Sequence, residues 1–178
     1  MRVIAGELRG RRLIAPRGRA TRPTPDRVRE SVFAILGESV RDARVLDLFA
    51  GSGALAIEAL SRGASEATLI DVSAAAIGAV TSNLQALELA AEVRRQPAGA
   101  FLEQAIAEGR LYDLVFLDPP YRDASALGRE LSTALRSVLA PDARVVAESD
   151  RRAPLELDGL IVHDVRRYGD TMIQIYGS

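Results

Sequence analysis

Two short stretches and two isolated carboxylates carry the residue types from which a reaction could be built. Gly51-Ser52-Gly53-Ala54-Leu55-Ala56 follows the apolar run Val45-Leu46-Asp47-Leu48-Phe49 and reads as G-x-G-x-x-A. Glycine lets a backbone approach a ligand closely and take positive φ angles. Placed between a strand and a helix, such a loop cradles a nucleotide-like ligand at the carboxyl edge of a sheet. Asp71 lies twenty residues beyond Gly51, where an acid accepts hydrogen bonds from both hydroxyls of a ribose. These features fit NAD and S-adenosylmethionine alike. Asp47 separates the two, because a carboxylate inside an apolar strand needs a partner. The ammonium of a methionine moiety supplies one, whereas a pyrophosphate would be repelled.

The second stretch is Asp118-Pro119-Pro120-Tyr121, at the end of another apolar run, Leu114-Val115-Phe116-Leu117. Two consecutive prolines fix φ and remove two donors, and Asp118 is biased away from helical geometry by the proline after it. The Asp118 carboxylate and the Pro119 carbonyl then form a stiff pair of acceptors beside the aromatic face of Tyr121. The pair suits a planar substrate bearing an –NH₂ group. Both hydrogens are accepted, the ring stacks, and the nitrogen lone pair is aimed at an electrophile. A base must be flipped or unpaired to enter.

Elements in the right order position these groups. Residues 2–5 and 11–15 read as two short strands joined by a turn, and residues 16–25, with three prolines, read as a loop. A helix follows to about Leu36, capped by Thr24 or Asp26 and closed by Gly37. From Arg44 onward strand and helix alternate: strands near 44–49, 67–71, 92–96, 111–117 and 143–148, helices near 54–62, 73–88, 101–108 and 124–139. Strands near 160–165 and 171–175 lack a helix-length spacer and are expected to be antiparallel neighbours. Strand–helix repeats with continuous apolar strands imply a largely parallel sheet covered on both faces.

Composition narrows the function classes. The 178 residues include no cysteine and one histidine, which excludes a disulfide framework, a Cys nucleophile and a His cluster for a metal. The 48% apolar content fits a globular fold. With no signal peptide and no apolar run long enough for a membrane span, a soluble cytoplasmic protein without membrane or metal is expected. The net charge of −1 conceals a split. Nine arginines against Glu7, Asp26 and Glu30 in residues 1–30 make a basic arm, and the remainder is acidic. Such asymmetry fits a basic arm for a nucleic-acid partner and, on charge alone, equally a solvated, Arg-rich start to the chain.

Together, Val45-Leu46-Asp47-Leu48-Phe49-Ala50-Gly51-Ser52-Gly53, Asp71 and Asp118-Pro119-Pro120-Tyr121 resemble the motifs of class I S-adenosylmethionine-dependent amino-group methyltransferases. Arg9-Gly10-Arg11-Arg12, the run Arg22 to Glu30 and Tyr168-Gly169-Asp170-Thr171 are similar to one family among these, RsmD, whose members methylate the N2 amine of a guanine in small-subunit ribosomal RNA. The resemblance covers essentially the whole chain. It implies a Rossmann-like fold with a mostly parallel seven-stranded sheet, an antiparallel strand near the C-terminus and an N-terminal β-hairpin. It divides the chain into a basic RNA-contacting arm, residues 1–25, and a methyltransferase domain, residues 26–178.

By the same resemblance, Asp47, Phe49, Ala50, Gly51, Ser52 and Gly53 hold the methionine end of S-adenosylmethionine. Asp71 binds its ribose, and Val72 and Ala98 contact its adenine. Asp118, Pro119 and Tyr121 hold the target guanine. Arg9, Arg11, Arg12, Arg22 and Arg27 contact phosphates of 16S rRNA, in a small ribosomal subunit or an assembly intermediate, with the enzyme a monomer. Where the family often carries a polar residue near the adenine amine, this chain has Pro97-Ala98, which leaves a backbone contact there. Alternatives are an amino-group methyltransferase for adenine N6 or for a protein, and an NAD-binding protein.

Overall fold

The computed structural model describes residues 1–16, 24–119 and 124–177. Seven strands form one sheet: β1 (Arg44–Asp47), β2 (Glu66–Asp71), β3 (Glu92–Arg95), β4 (Tyr112–Leu117), β5 (Leu139–Asp150), β6 (Ile161–Tyr168) and β7 (Thr171–Gly177). Their order is β3-β2-β1-β4-β5-β7-β6. The first five run parallel, and β7 lies antiparallel between β5 and β6. This is the expected arrangement, including the reversed strand near the C-terminus. The sequence order reverses between β1 and β4, so the crevice for a ligand opens beyond their carboxyl ends.

Side chains alternate across each strand, and the two faces carry separate cores. Val45, Leu69, Leu114, Phe116 and Val146 pack under α1 (Asp26–Leu36), α2 (Ala54–Ser61) and α3 (Ala74–Leu87). Leu46, Leu48, Ile70, Val115, Leu117 and Ala147 pack under α4 (Ala98–Ala107) and α5 (Ala124–Ser137). By parity, Asp47, Asp71, Asp118 and Glu148 continue the first face beyond the last apolar residues of their strands.

Several expected boundaries differ. The two N-terminal strands reduce to one antiparallel bridge, Arg2 with Arg12, flanked by Val3 N–H to Arg11 O at 2.9 Å and Leu13 N–H to Met1 O at 3.0 Å. Glu58 takes the Ile4 and Ala5 N–H groups and Asn83 pairs with both backbone groups of Ile14, so side chains occupy the positions that would extend the ladder. Pro25 rather than Thr24 or Asp26 holds the N-cap of α1, with no side-chain cap. Helix α4 starts at Ala98, three residues earlier than expected, because Pro97 sits at its N-cap with φ already −62°. Strand β5 begins at Leu139, four residues early, and pairs with Tyr112 before a bulge.

Residues 1–16 are docked on the domain. Val3 and Leu13 are buried in the first core. The Glu58 carboxylate of α2 accepts the Ile4 and Ala5 N–H groups at 2.7 and 3.0 Å. Ser61 takes the Leu8 N–H at 3.0 Å and donates to Ala5 O at 2.6 Å. At the other end of the chain, Tyr168 donates to the Ser31 hydroxyl and ties β6 to α1.

Candidate functional site

The glycine loop leaves β1 and turns into α2 through two left-handed residues, Gly51 at φ +55° and Gly53 at φ +78°. A Cβ on Gly53 would meet Leu69 Cδ2 at 3.1 Å and Ile57 Cδ1 at 3.3 Å, so both conformation and space require glycine there. Gly53 is also the N-cap of α2. The loop is held from beneath by Asp71, which accepts the Gly51 N–H on Oδ2 at 2.9 Å and the Ser73 N–H on Oδ1 at 2.8 Å. Each carboxylate oxygen accepts two hydrogen bonds, so one acceptor position per oxygen is left for a ribose hydroxyl. Val72, beside it, is 61% exposed, which makes an apolar surface for a flat ring.

Asp47 is 1% exposed. Its Oδ1 accepts the Phe49 N–H at a long 3.4 Å, and among the described residues no basic side chain pairs with it. Burial pushes its carboxyl up to about 7, the charge of Asp71 adds to this, and the backbone N–H groups of Phe49 and Ala56 oppose it. A buried acid poised near neutrality without a cation fits a cationic ligand. Phe49 is half-buried, and Ala50 and Ser52 are buried. The Ser52 hydroxyl faces Met1 Sδ at 3.4 Å, so its side chain is spent on the N-terminal hairpin. Any contact it makes with a cofactor comes from the loop backbone.

Ala98 opens α4 and is 7% exposed. The first N–H groups of a helix have no partner within it, so Ala98 and Gly99 offer donors at the end of the crevice. The buried Gln96 Nε2 nearby in sequence has no hydrogen-bond partner.

Asp118 and Pro119 follow β4, and Pro119 is buried. The register Leu117 with Ala147 brings Asp118 beside Glu148 on the neighbouring strand. Burial raises the Asp118 carboxyl well above the ordinary carboxylate range, the charges of Glu148 and Asp47 raise it further, and a hydrogen bond from Thr24 opposes them. Thr24 Oγ1 also donates to Glu148 Oε2 at 2.7 Å, so the segment before α1 reaches the Asp118 end of the crevice. Tyr121 lies outside the described residues.

Glu148, 4% exposed, was not among the sequence candidates. The signal was present: an acid ending the apolar run Val145-Val146-Ala147 is the pattern that singles out Asp47. Asn83, 3% exposed on α3, was also missed, and its bonds span 31 and 69 residues of chain. The structure therefore brings Asp47, Asp71 and Asp118 together around the crevice with the glycine loop, and adds Glu148.

Of the arginines expected at RNA, Arg9, Arg12 and Arg27 are exposed. Arg11 is exposed too, and its Nη2 donates to Ala86 O on α3 at 2.8 Å. Arg22 lies outside the described residues. Arg29, counted in the basic arm, is fully buried, bonding the Arg2 carbonyl and, at 2.8 Å, Asp26. It belongs to the interior and cannot reach a phosphate.

Residues 1–177 match the family described as Conserved hypothetical protein 95. The chain is similar to YlbH of Bacillus subtilis (strain 168), 41% identical over 180 residues that cover 99% of this chain and 98% of the relative. It is similar to ribosomal RNA small subunit methyltransferase D of Escherichia coli (strain K12), 46% identical over 123 residues, 68% of this chain and 61% of the relative. The solved structure of Escherichia coli yhhF, a methyltransferase by its name, superposes with a TM-score of 0.85 at 37% identity, over 99% of this chain and 97% of that one.

Proposed function

This chain belongs to the RsmD family, that of Conserved hypothetical protein 95, and from that premise we propose that it methylates the exocyclic N2 amine of a guanine in 16S ribosomal RNA, with S-adenosylmethionine as donor. The substrate is a small ribosomal subunit or an assembly intermediate, and the enzyme works as a cytoplasmic monomer.

The observation that carries this reading is the set of acids on one face of the sheet at its point of reversal. Asp47 sits beneath the glycine loop with no basic partner among the described residues, and Asp118 follows β4, one strand away. The bound cofactor supplies an electrophilic methyl carbon on a sulfonium. Asp47 and the loop backbone hold the ammonium end, and Asp71 holds the ribose. Asp118 and the Pro119 carbonyl accept the two N–H groups of the target amine and orient its lone pair toward the methyl carbon. The amine would lose its proton only after transfer, so Asp118 would act as an orienting acceptor and not as a strong base. Positioning and acceptance of developing positive charge on the amine supply the rate enhancement. Glu148 adds negative potential next to Asp118 and strengthens that acceptance.

Labelled-methyl transfer to unmethylated small subunits, followed by nucleoside analysis, tests the assignment. N2-methylguanosine is expected; N6-methyladenosine or no label would overturn it. Asp118→Asn keeps an acceptor oxygen and should retain activity within roughly tenfold. Asp118→Ala should lose about 10²-fold in kcat, the scale of one positioned polar group at the reacting centre, with S-adenosylhomocysteine affinity changed by no more than a few-fold.

A further inference from the structure

The hairpin that carries the exposed arginines and the loop that holds the cofactor are joined through one side chain. Asn83 Oδ1 accepts the Ile14 N–H at 2.9 Å. Its Nδ2 donates to the Ile14 carbonyl at 3.0 Å and to the Ser52 carbonyl at 2.9 Å. The amide thus acts as a strand partner for Ile14, two residues after Arg12, and uses its second donor on the residue between the two left-handed glycines. A clamp for the hairpin alone would account for the Ile14 bonds and not for the third. Ser52 Oγ against Met1 Sδ at 3.4 Å is a second link between the same two elements. Ser52 precedes Gly53, the N-cap of α2, so a shift of its carbonyl reorients the peptide that faces the cofactor.

We propose that Asn83 is a positioning residue that couples RNA engagement at the hairpin to cofactor binding at the glycine loop. The inference rests on the methyltransferase reading above and adds to it a regulation of the same site. Coupling between two binding sites is reciprocal, so RNA tightens the cofactor by the factor with which the cofactor tightens RNA.

The test is a titration of the full chain with S-adenosylhomocysteine, alone and with saturating unmethylated small subunits. In the wild type the subunits should raise the affinity by about fivefold or more, the lower end of ordinary couplings. Asn83→Asp keeps the acceptor for Ile14 and loses both donors. It should bring that factor close to one and raise the KM for S-adenosylmethionine, with kcat at saturation changed less than threefold. Ser61→Ala, which loosens the hairpin without touching the glycine loop, should leave the factor as in the wild type, with thermal melts reporting the stability of each variant. A factor of one in the wild type overturns the proposal with no variant needed. So does Asn83→Asp with the factor intact, or an equal loss in Ser61→Ala. Failure of the wild type to bind S-adenosylhomocysteine at all would overturn the methyltransferase reading itself.

Discussion

At the scale of single residues, the acids of the crevice work against the fold and for the ligand. Asp47 is pushed up to about 7 by burial, from the ordinary carboxylate value near 4. The folded, ligand-free protein therefore binds more protons than the unfolded chain between about pH 4 and about pH 7. Its stability falls as pH rises through that window, by about 1.4 kcal/mol per unit for one proton. Asp118 is raised in the same direction, with Glu148 and Asp47 as neighbouring charges. A bound ammonium and sulfonium would reverse the balance, because they favour the ionised acids. Binding of S-adenosylmethionine below about pH 7 should then release protons, and affinity should climb from pH 6 to pH 8 and level off. Calorimetry in two buffers of different ionisation enthalpy measures the proton count, and Asp47→Asn should remove most of the pH dependence. Proton uptake on binding, or an affinity that drops with rising pH, would contradict this account.

At the scale of elements, the N-terminal hairpin depends on α2. Glu58 is fully buried, and its carboxylate accepts from Ile4, Ala5 and, at 2.8 Å, Arg62 Nε. Glu58→Ala leaves two N–H groups and a guanidinium without their acceptor, which should cost about 2–4 kcal/mol. For a domain of this size that is roughly 4–16 °C in Tm, and Glu58→Gln, which keeps one acceptor oxygen, should lose less. These bonds also mark the limit of what the sequence discloses. The strand–helix alternation, the reversed C-terminal strand and the glycine loop follow from local period and from glycine positions, and the structure places them within a few residues. Asp47 and Asp71 were readable as acids interrupting or ending apolar runs. Glu58, Asn83 and Thr24 were not, because their partners lie 53, 69 and 124 residues away and no periodicity encodes such a contact. The early start of α4 is not legible in the sequence because Pro97 reads equally as a breaker and as a helix-starting residue.

For the whole molecule, charge distribution matters more than charge. The formal charge of the body counts Asp47, Asp71, Asp118 and Glu148, which lie inside or beside the crevice and are none of them fully exposed. On the hairpin and the start of α1, Arg9, Arg12 and Arg27 are exposed, whereas Arg29 is internal. The usable positive surface is smaller than the nine arginines of residues 1–30 suggest, and it is concentrated on an element fixed to the cofactor loop by Asn83 and to α2 by Glu58. RNA phosphates met there would be held in register with the crevice, as phosphate contacts position a partner without reading its sequence. Each neutralised phosphate contributes about 0.7–0.9 to the slope of log affinity against log salt. The triple variant Arg9→Ala, Arg12→Ala, Arg27→Ala should therefore flatten that slope by about 2–3, measured by filter binding of unmethylated small subunits across a potassium chloride series. Affinity should fall most at low salt and converge with the wild type at high salt, and S-adenosylhomocysteine affinity in the absence of RNA should stay within a few-fold. A parallel displacement of the two salt plots, with the slope unchanged, would assign these arginines to something other than phosphate contact and move the RNA surface off the hairpin.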